Sequence, residues 1–292
     1  MLYKITHTTV YSYGQSAPVS HNVARLTPRE TPRQSCSFHR LLIRPTATTT
    51  SRRWDYFGNQ VHYFSIYEGH KKLSVTSTSR VKLKDAELAN PYTTLPWEQV
   101  RDRLRVDRSP TWLQALGFAF ESPRVELDSV VADYARPSFP PGRPILEGVI
   151  DLVGRIHADF PYMPESTTVH TRIRDVFAIR GGVCQDLAHV AIGCLRSMGL
   201  AARYVSGYLR TQHNGDGPKL VGDVASHAWV SVYCGGDGWI DIDPTNNVLT
   251  ELDHITLGWG RDYTDVCPID GVLVGGGQNT LRVSVAVEPI EG

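Results

Sequence analysis

The chain has 292 residues, 41% of them apolar and 21% charged, with 30 acidic and 30 basic side chains, so its formal net charge is zero. That length exceeds the common single-domain size and can bury a sizeable core. The neutral balance argues against nucleic acid as a partner, which a basic excess would announce. No stretch approaches the roughly 20 apolar residues that cross a bilayer.

Residues 1–14 lack the apolar run of a secretory leader and alternate like a strand, so a cytoplasmic location is expected. Further strands are predicted over 37–44, 51–56, 61–67 and 72–83, separated by turn signals at Phe57-Gly58-Asn59 and Glu68-Gly69. Residues 1–85 therefore read as an antiparallel, β-sandwich-like module. From 86 to 144 the prolines at 91, 96, 110, 123, 137, 140, 141 and 144 permit only short helices, such as 97–104. This stretch is expected to be a helical connector packed on both halves. In it, Arg101, Arg103, Arg105 and Arg108 alternate with Asp102 and Asp107, the pattern of a solvated helix face.

The remainder, 145–292, is mixed α and β. Ile145, Val149, Leu152, Val153 and Ile156 form a helical stripe, and 184–198 predicts a second helix with one apolar face, closed by Gly199 at C′. Strands are predicted over 201–209, 228–233, 239–242 and 281–287. Gly275-Gly276-Gly277 lacks the Lys-Ser/Thr that follows a phosphate loop and reads as a turn.

The five cysteines, at 36, 184, 194, 234 and 267, are odd in number and form no C-x-x-C pair. Reduced thiols fit this better than a disulfide framework or a zinc knuckle. Four of them read as buried small hydrophobes, but Cys184 follows Gly181-Gly182-Val183 at a predicted helix start. A helix N-terminus favours a thiolate, the reactive form of cysteine, and its free N–H groups suit an oxyanion. The two glycines allow a substrate backbone close approach. His227, in Ala225-Ser226-His227-Ala228-Trp229, begins one predicted strand. Asp243, before Pro244-Thr245, ends the next, and the glycine-rich turn between them makes the two residues neighbours in an antiparallel hairpin. A thiol, an imidazole to take its proton and a carboxylate to orient the imidazole make a nucleophilic relay.

These segments resemble the motifs of the transglutaminase-like superfamily, a branch of the papain-like cysteine enzymes: a Cys at a helix start after Gly, a His followed by an aromatic on a strand, and an Asp in a Trp-x-x-x-Asp-Pro-Thr context. Residues 3–29, with Tyr11-Ser12-Tyr13 and Arg25-Leu26-Thr27-Pro28-Arg29, are similar to the β-rich module that precedes this core in bacterial members. The resemblance implies an α+β fold, with the Cys184 helix packed on an antiparallel sheet. It also implies acyl-enzyme chemistry on a carboxamide or peptide bond of a protein or peptide substrate, with Cys184, His227 and Asp243 as the triad. Tyr162, Asp186 and Trp229 are candidates to line the cleft or stabilise an oxyanion. No cofactor is implied. Calcium, needed by the family's animal members, is not carried over, because no EF-hand loop or carboxylate cluster is present. A membrane role is not expected.

Two further residues, His189 and Asp241, are rivals for triad roles. His189 lies five residues along the helix, about 140° around its axis from Cys184, and reads as structural. Asp241 shares a strand face with Asp243 by alternation, and only the Asp-Pro-Thr context favours the latter. The functional alternatives are a transamidase joining Gln and Lys side chains and a non-catalytic, partner-binding scaffold.

Overall fold

The computed structural model describes residues 1–85, 87–210 and 226–290; Ala225 of the His227 motif lies outside them. The N-terminal module contains β1 (Leu2–Ala17), β2 (Val19–Ala24), β3 (Gln34–Arg44), β4 (Thr49–Trp54), β5 (Gln60–Ile66) and β6 (His70–Leu83). The long strands alternate buried and open residues, as a half-buried strand must; β6 buries Leu73, Val75, Val81 and Leu83. β4 is exposed throughout, and Arg52 and Arg53 guard this edge strand.

Two strands from the far end of the chain complete this module. β12 (Ile269–Val274) and β13 (Asn279–Pro289) return to it, giving four-stranded sheets in the orders β12-β2-β5-β4 and β13-β1-β6-β3. The segment expected to close the 145–292 portion therefore pairs with β1, from Tyr3 against Pro289 to Tyr13 against Asn279. Alternation in 281–287 indicates a strand but carries no information about its partner. The glycines at 275–277 lie between β12 and β13 and all adopt positive φ, in keeping with a turn.

The helices are α1 (Trp97–Val106), α2 (Pro110–Leu116), α3 (Ser129–Ala135), α4 (Ile145–Asp159), α5 (Ile173–Ile179), α6 (Cys184–Ser197) and α7 (Tyr263–Val266). As the prolines require, those before residue 144 are short. Their buried residues, including Trp97, Leu104, Trp112 and Val131, join the same apolar cluster as α4 and α6. The core sheet contains β7 (Ala202–Leu209), β8 (His227–Tyr233), β9 (Trp239–Asp243), β10 (Val248–Leu249) and β11 (His254–Gly260), ordered β10-β9-β8-β7-β11 and antiparallel throughout.

Helix α6 is central. Every residue from Cys184 to Arg196 is buried, so the single apolar face predicted from sequence is too narrow: this helix is enclosed on all sides. Its end follows the prediction. Gly199 has φ +76°, Leu200 N–H bonds to Leu195 C=O at 3.0 Å, and Gly199 N–H bonds to Arg196 C=O at 2.9 Å, the paired bonds of a Schellman motif. The result is an α+β fold in which a β-sandwich-like module precedes a sheet carrying the Cys184 helix.

Candidate active site

The loop entering α6 is held by its own chain. Arg180 ends α5 in the left-handed region, and Gly182 runs parallel to Tyr162, with Met163 N–H bonded to Gly182 C=O at 2.8 Å. A Cβ on Gly181 would meet Met163, and one on Gly182 would lie 2.7 Å from Asp186 Oδ2. The glycines thus allow the protein's own segments to pack closely, rather than opening space for a substrate backbone. Asp186 Oδ2 accepts from Val183 N–H at 2.9 Å and Thr167 Oγ1 at 2.6 Å. That is half of a capping box, since the Val183 side chain has no acceptor to return. The N–H groups of Asp186 and Leu187 bond back to Val183 C=O, whereas those of Cys184 and Gln185 have no partner among the described residues. Cys184 therefore sits at a helix start with two free amides beside it.

The hairpin of β8 and β9 pairs Val230 with Ile242 and Ser231 with Asp241. That register places Asp243 diagonally from His227, and His227 Nε2 donates to Asp243 Oδ2 at 2.7 Å, with both side chains buried. With Nε2 committed, the other ring nitrogen, Nδ1, is the one free to exchange a proton with the thiol. It has no nitrogen or oxygen partner among the described residues. Burial opposes charge on His227. The Asp243 carboxylate and its hydrogen bond, joined by the Cys184 thiol, outweigh burial and raise the pKa to about 10.

Asp243 is held as an ion in turn. Its Oδ1 accepts from the backbone N–H of Thr245 at 2.9 Å and of Asn246 at 3.3 Å. Its Oδ2 accepts from Asn246 Nδ2 at 2.7 Å and, besides His227, from His254 Nε2 at 3.1 Å. Burial pushes this carboxyl up, but the two imidazoles pull it well below the usual carboxylate range. His227, Asp243 and His254 bring three ligand-type atoms within 4.8 Å of one another. Both nitrogens, however, approach one oxygen at N–H···O distances, which fits a hydrogen-bonded relay better than a cation's ligand shell.

The model of the bacterial transglutaminase-like N-terminal region matches residues 3–82, and that of the transglutaminase-like superfamily matches residues 134–244, a span containing all three side chains. An uncharacterized protein of Mycobacterium tuberculosis (strain H37Rv) is 40% identical over 295 residues, covering 99% of this chain and 93% of that one. The chain belongs to the transglutaminase-like superfamily. A crystal structure from Cytophaga hutchinsonii named "Putative Cysteine Protease" has the same fold, with TM-score 0.76 over 100% of this chain and 92% of that one, at 21% identity. A protein-glutamine gamma-glutamyltransferase of Pseudomonas aeruginosa is 26% identical over 163 residues, 55% of this chain but 24% of that protein.

Within this superfamily fold, the other predicted site residues separate. Asp186 is buried as the cap of α6, and Trp229 is fully buried, so neither lines an open cleft. Trp229 Nε1 donates to Asp241 Oδ2 at 3.1 Å, which commits Asp241 to the indole and leaves Asp243 to the imidazole. Tyr162 flanks the Cys184 loop through its backbone bridge to Gly182. His189 accepts from Tyr263 N–H at 3.2 Å, and burial lowers its pKa to about 4, as suits a structural imidazole. Burial raises the thiol pKa of Cys36, Cys194, Cys234 and Cys267.

Three residues that the sequence reading passed over build the site. Asn246 gives two of the bonds on Asp243, and an Asp-Pro-Thr-Asn run is a recognisable Asx-type turn. His254 is brought in by β11, to which nothing in the sequence directs attention. Gly207 pairs with His227 on one side and Thr256 on the other. A Cβ there would stand 2.3 Å from the Trp229 ring and 2.2 Å from Ile255 C=O, so only glycine lets the indole lie across β7. No helix among the described residues is long and apolar enough to cross a membrane.

Proposed function

We propose that this protein is a thiol enzyme that cleaves carboxamide or peptide bonds of a protein or peptide through a thioester on Cys184, with His227 as proton carrier and Asp243 as its orienting anion. The observation that carries this reading is the committed imidazole. Nε2 is fixed on a buried carboxylate, and the opposite nitrogen is left for the thiol of a cysteine at a helix start.

In this scheme the thiolate attacks the carbonyl carbon, and the resulting oxyanion takes hydrogen bonds from the free N–H groups of Cys184 and Gln185. The C–N bond breaks, the amine or ammonia leaves with the proton from His227 Nδ1, and the acyl group stays on sulfur. Water then attacks the thioester, giving its proton to His227 and releasing the acid and the thiolate. Replacing water by a lysine amine turns the same intermediate into a cross-link; the gamma-glutamyltransferase relative in P. aeruginosa favours that second reading.

The two readings separate in one assay: ammonia release from a glutamine-rich protein such as casein, with and without a labelled primary amine. Ammonia release or new peptide ends without amine incorporation, lost in Cys184→Ala, is the expected result. Efficient incorporation of the amine would replace hydrolysis by transamidation, and activity retained in Cys184→Ala would remove the thioester.

A further inference from the structure

Among the described residues two arginines are buried, and only one has its partners. Arg196 on α6 is 2% exposed and donates to the carbonyls of Phe118, Ala202 and Arg261 and to the Ser122 hydroxyl. Arg203 on β7 is 8% exposed, yet its side chain makes no hydrogen bond or ion pair among the described residues, and its Nε is sealed from solvent without an acceptor. Its neighbours are two aromatic faces: the guanidinium carbon lies 3.6 Å from the centre of the Trp259 ring and 4.2 Å from that of Trp239. Indole faces attract a cation but accept no bonds in the guanidinium plane. Arg29 stacks on the same Trp259 at 3.5 Å and still donates to Asn59 at 2.8 Å, so stacking does not by itself cost an arginine its acceptors.

The strand registers set Arg203, Ser231 and Asp241 side by side across β7, β8 and β9, and the Ser231 hydroxyl is also buried without a partner. Arg203, Trp239 and Trp259 line two cavities, of about 580 Å³ and 1060 Å³. The smaller lies between the N-terminal module and the core sheet; Cys184 lines neither. Four carboxylates of the smaller cavity (Glu87, Asp237, Asp241 and Glu251) face three cations, Arg33, Lys84 and Arg203. That balance disfavours a dianion and suits a ligand carrying one charge of each sign.

We propose that the cavity between module and sheet is a second ligand site, which binds a free amino acid with an apolar side chain. The α-carboxylate would pair with the terminal nitrogens of the Arg203 guanidinium, the side chain would lie against the apolar lining of Leu83, Leu88, Ala89 and Leu249, and the ammonium would face the acidic lining. Burial lowers the pKa of Arg203 to about 9, and Asp241 opposes that shift only in part, consistent with a cation lacking its anion.

Isothermal titration of the full chain tests this with four probes: L-phenylalanine, 3-phenylpropanoate, 2-phenylethylamine and inorganic phosphate. L-phenylalanine should bind most tightly and 3-phenylpropanoate more weakly, and neither the amine nor phosphate should compete. Arg203→Lys, which keeps the charge but loses the fork and its stacking, should weaken both carboxylates about tenfold or more. Should that variant not fold, Glu251→Gln is the second arm, weakening L-phenylalanine but not 3-phenylpropanoate. Absence of heat with both carboxylates at millimolar concentration, phosphate binding in preference to them, or affinities unchanged in the folded variants would overturn the site.

Discussion

Replacing Asp243 by Asn keeps the size of the side chain and an oxygen for His227 Nε2, but removes the charge that holds the imidazolium. The rise of the His227 pKa from 6.5 to about 10 corresponds to roughly 5 kcal/mol in favour of the charged ring. Without the carboxylate, burial is the largest influence left on the ring; it lowers that pKa and favours the neutral imidazole. Cys184 then loses its counter-ion, and iodoacetamide alkylation at pH 7 should slow by roughly 10²- to 10⁴-fold. The stability consequence has a definite sign. A pKa raised on folding contributes stability that is fully present below pH 6.5 and is lost as pH rises through about 10. The melting temperature of the parent protein should therefore fall across that window more than that of Asp243→Asn. The assay is the pH profile of Cys184 alkylation between pH 5 and 10, read by peptide mass, with circular dichroism to confirm folding. A folded Asp243→Asn protein whose rate at pH 7 lies within about threefold of the parent, with the same profile, would refute this assignment of the charge.

Further outcomes follow from the same contacts. His254→Leu removes one of the donors on Asp243 Oδ2 and should lower stability by about 1–3 kcal/mol in urea melts; no loss would mean the bond contributes nothing. Asp241→Asn should leave Cys184 alkylation within about threefold of the parent, because Asp241 serves Trp229; a collapse of reactivity would exchange the two aspartates. Gly182→Ala places a Cβ 2.8 Å from that of Asp186 and should cost about 1–3 kcal/mol by thermal melting; an unchanged melt would show that the α6 entry is less tightly packed.

The parts of this fold that were legible in the sequence are those written locally. Cys184 at a helix start, Gly199 at its end, and His227 and Asp243 at the ends of a hairpin depend on residues close in the chain, where caps and turns leave a signature. The return of β12 and β13 to the N-terminal sheets is not local: alternation identifies a strand but not the edge it joins. His254 was missed for the same reason, since β11 brings it to Asp243 from the far edge of the sheet. Enclosure misled the reading of α6 and of Trp229, because a helix buried all round and an indole wedged beside a catalytic-type histidine look, in sequence, like one-faced and cleft-lining elements. The preference for Asp243 over Asp241 rested on context. In the structure the two residues have different partners, an imidazole and an indole.

The most direct test of the account is competition among the five thiols of the native protein for a limiting dose of iodoacetamide near neutral pH. Cys36 and Cys267 are more exposed than Cys184, which is only 7% exposed, so accessibility alone would direct the label away from it. The account predicts that Cys184 is modified first and that this preference disappears in His227→Ala. Faster labelling of Cys36 or Cys267, or a preference for Cys184 that survives His227→Ala, would contradict it.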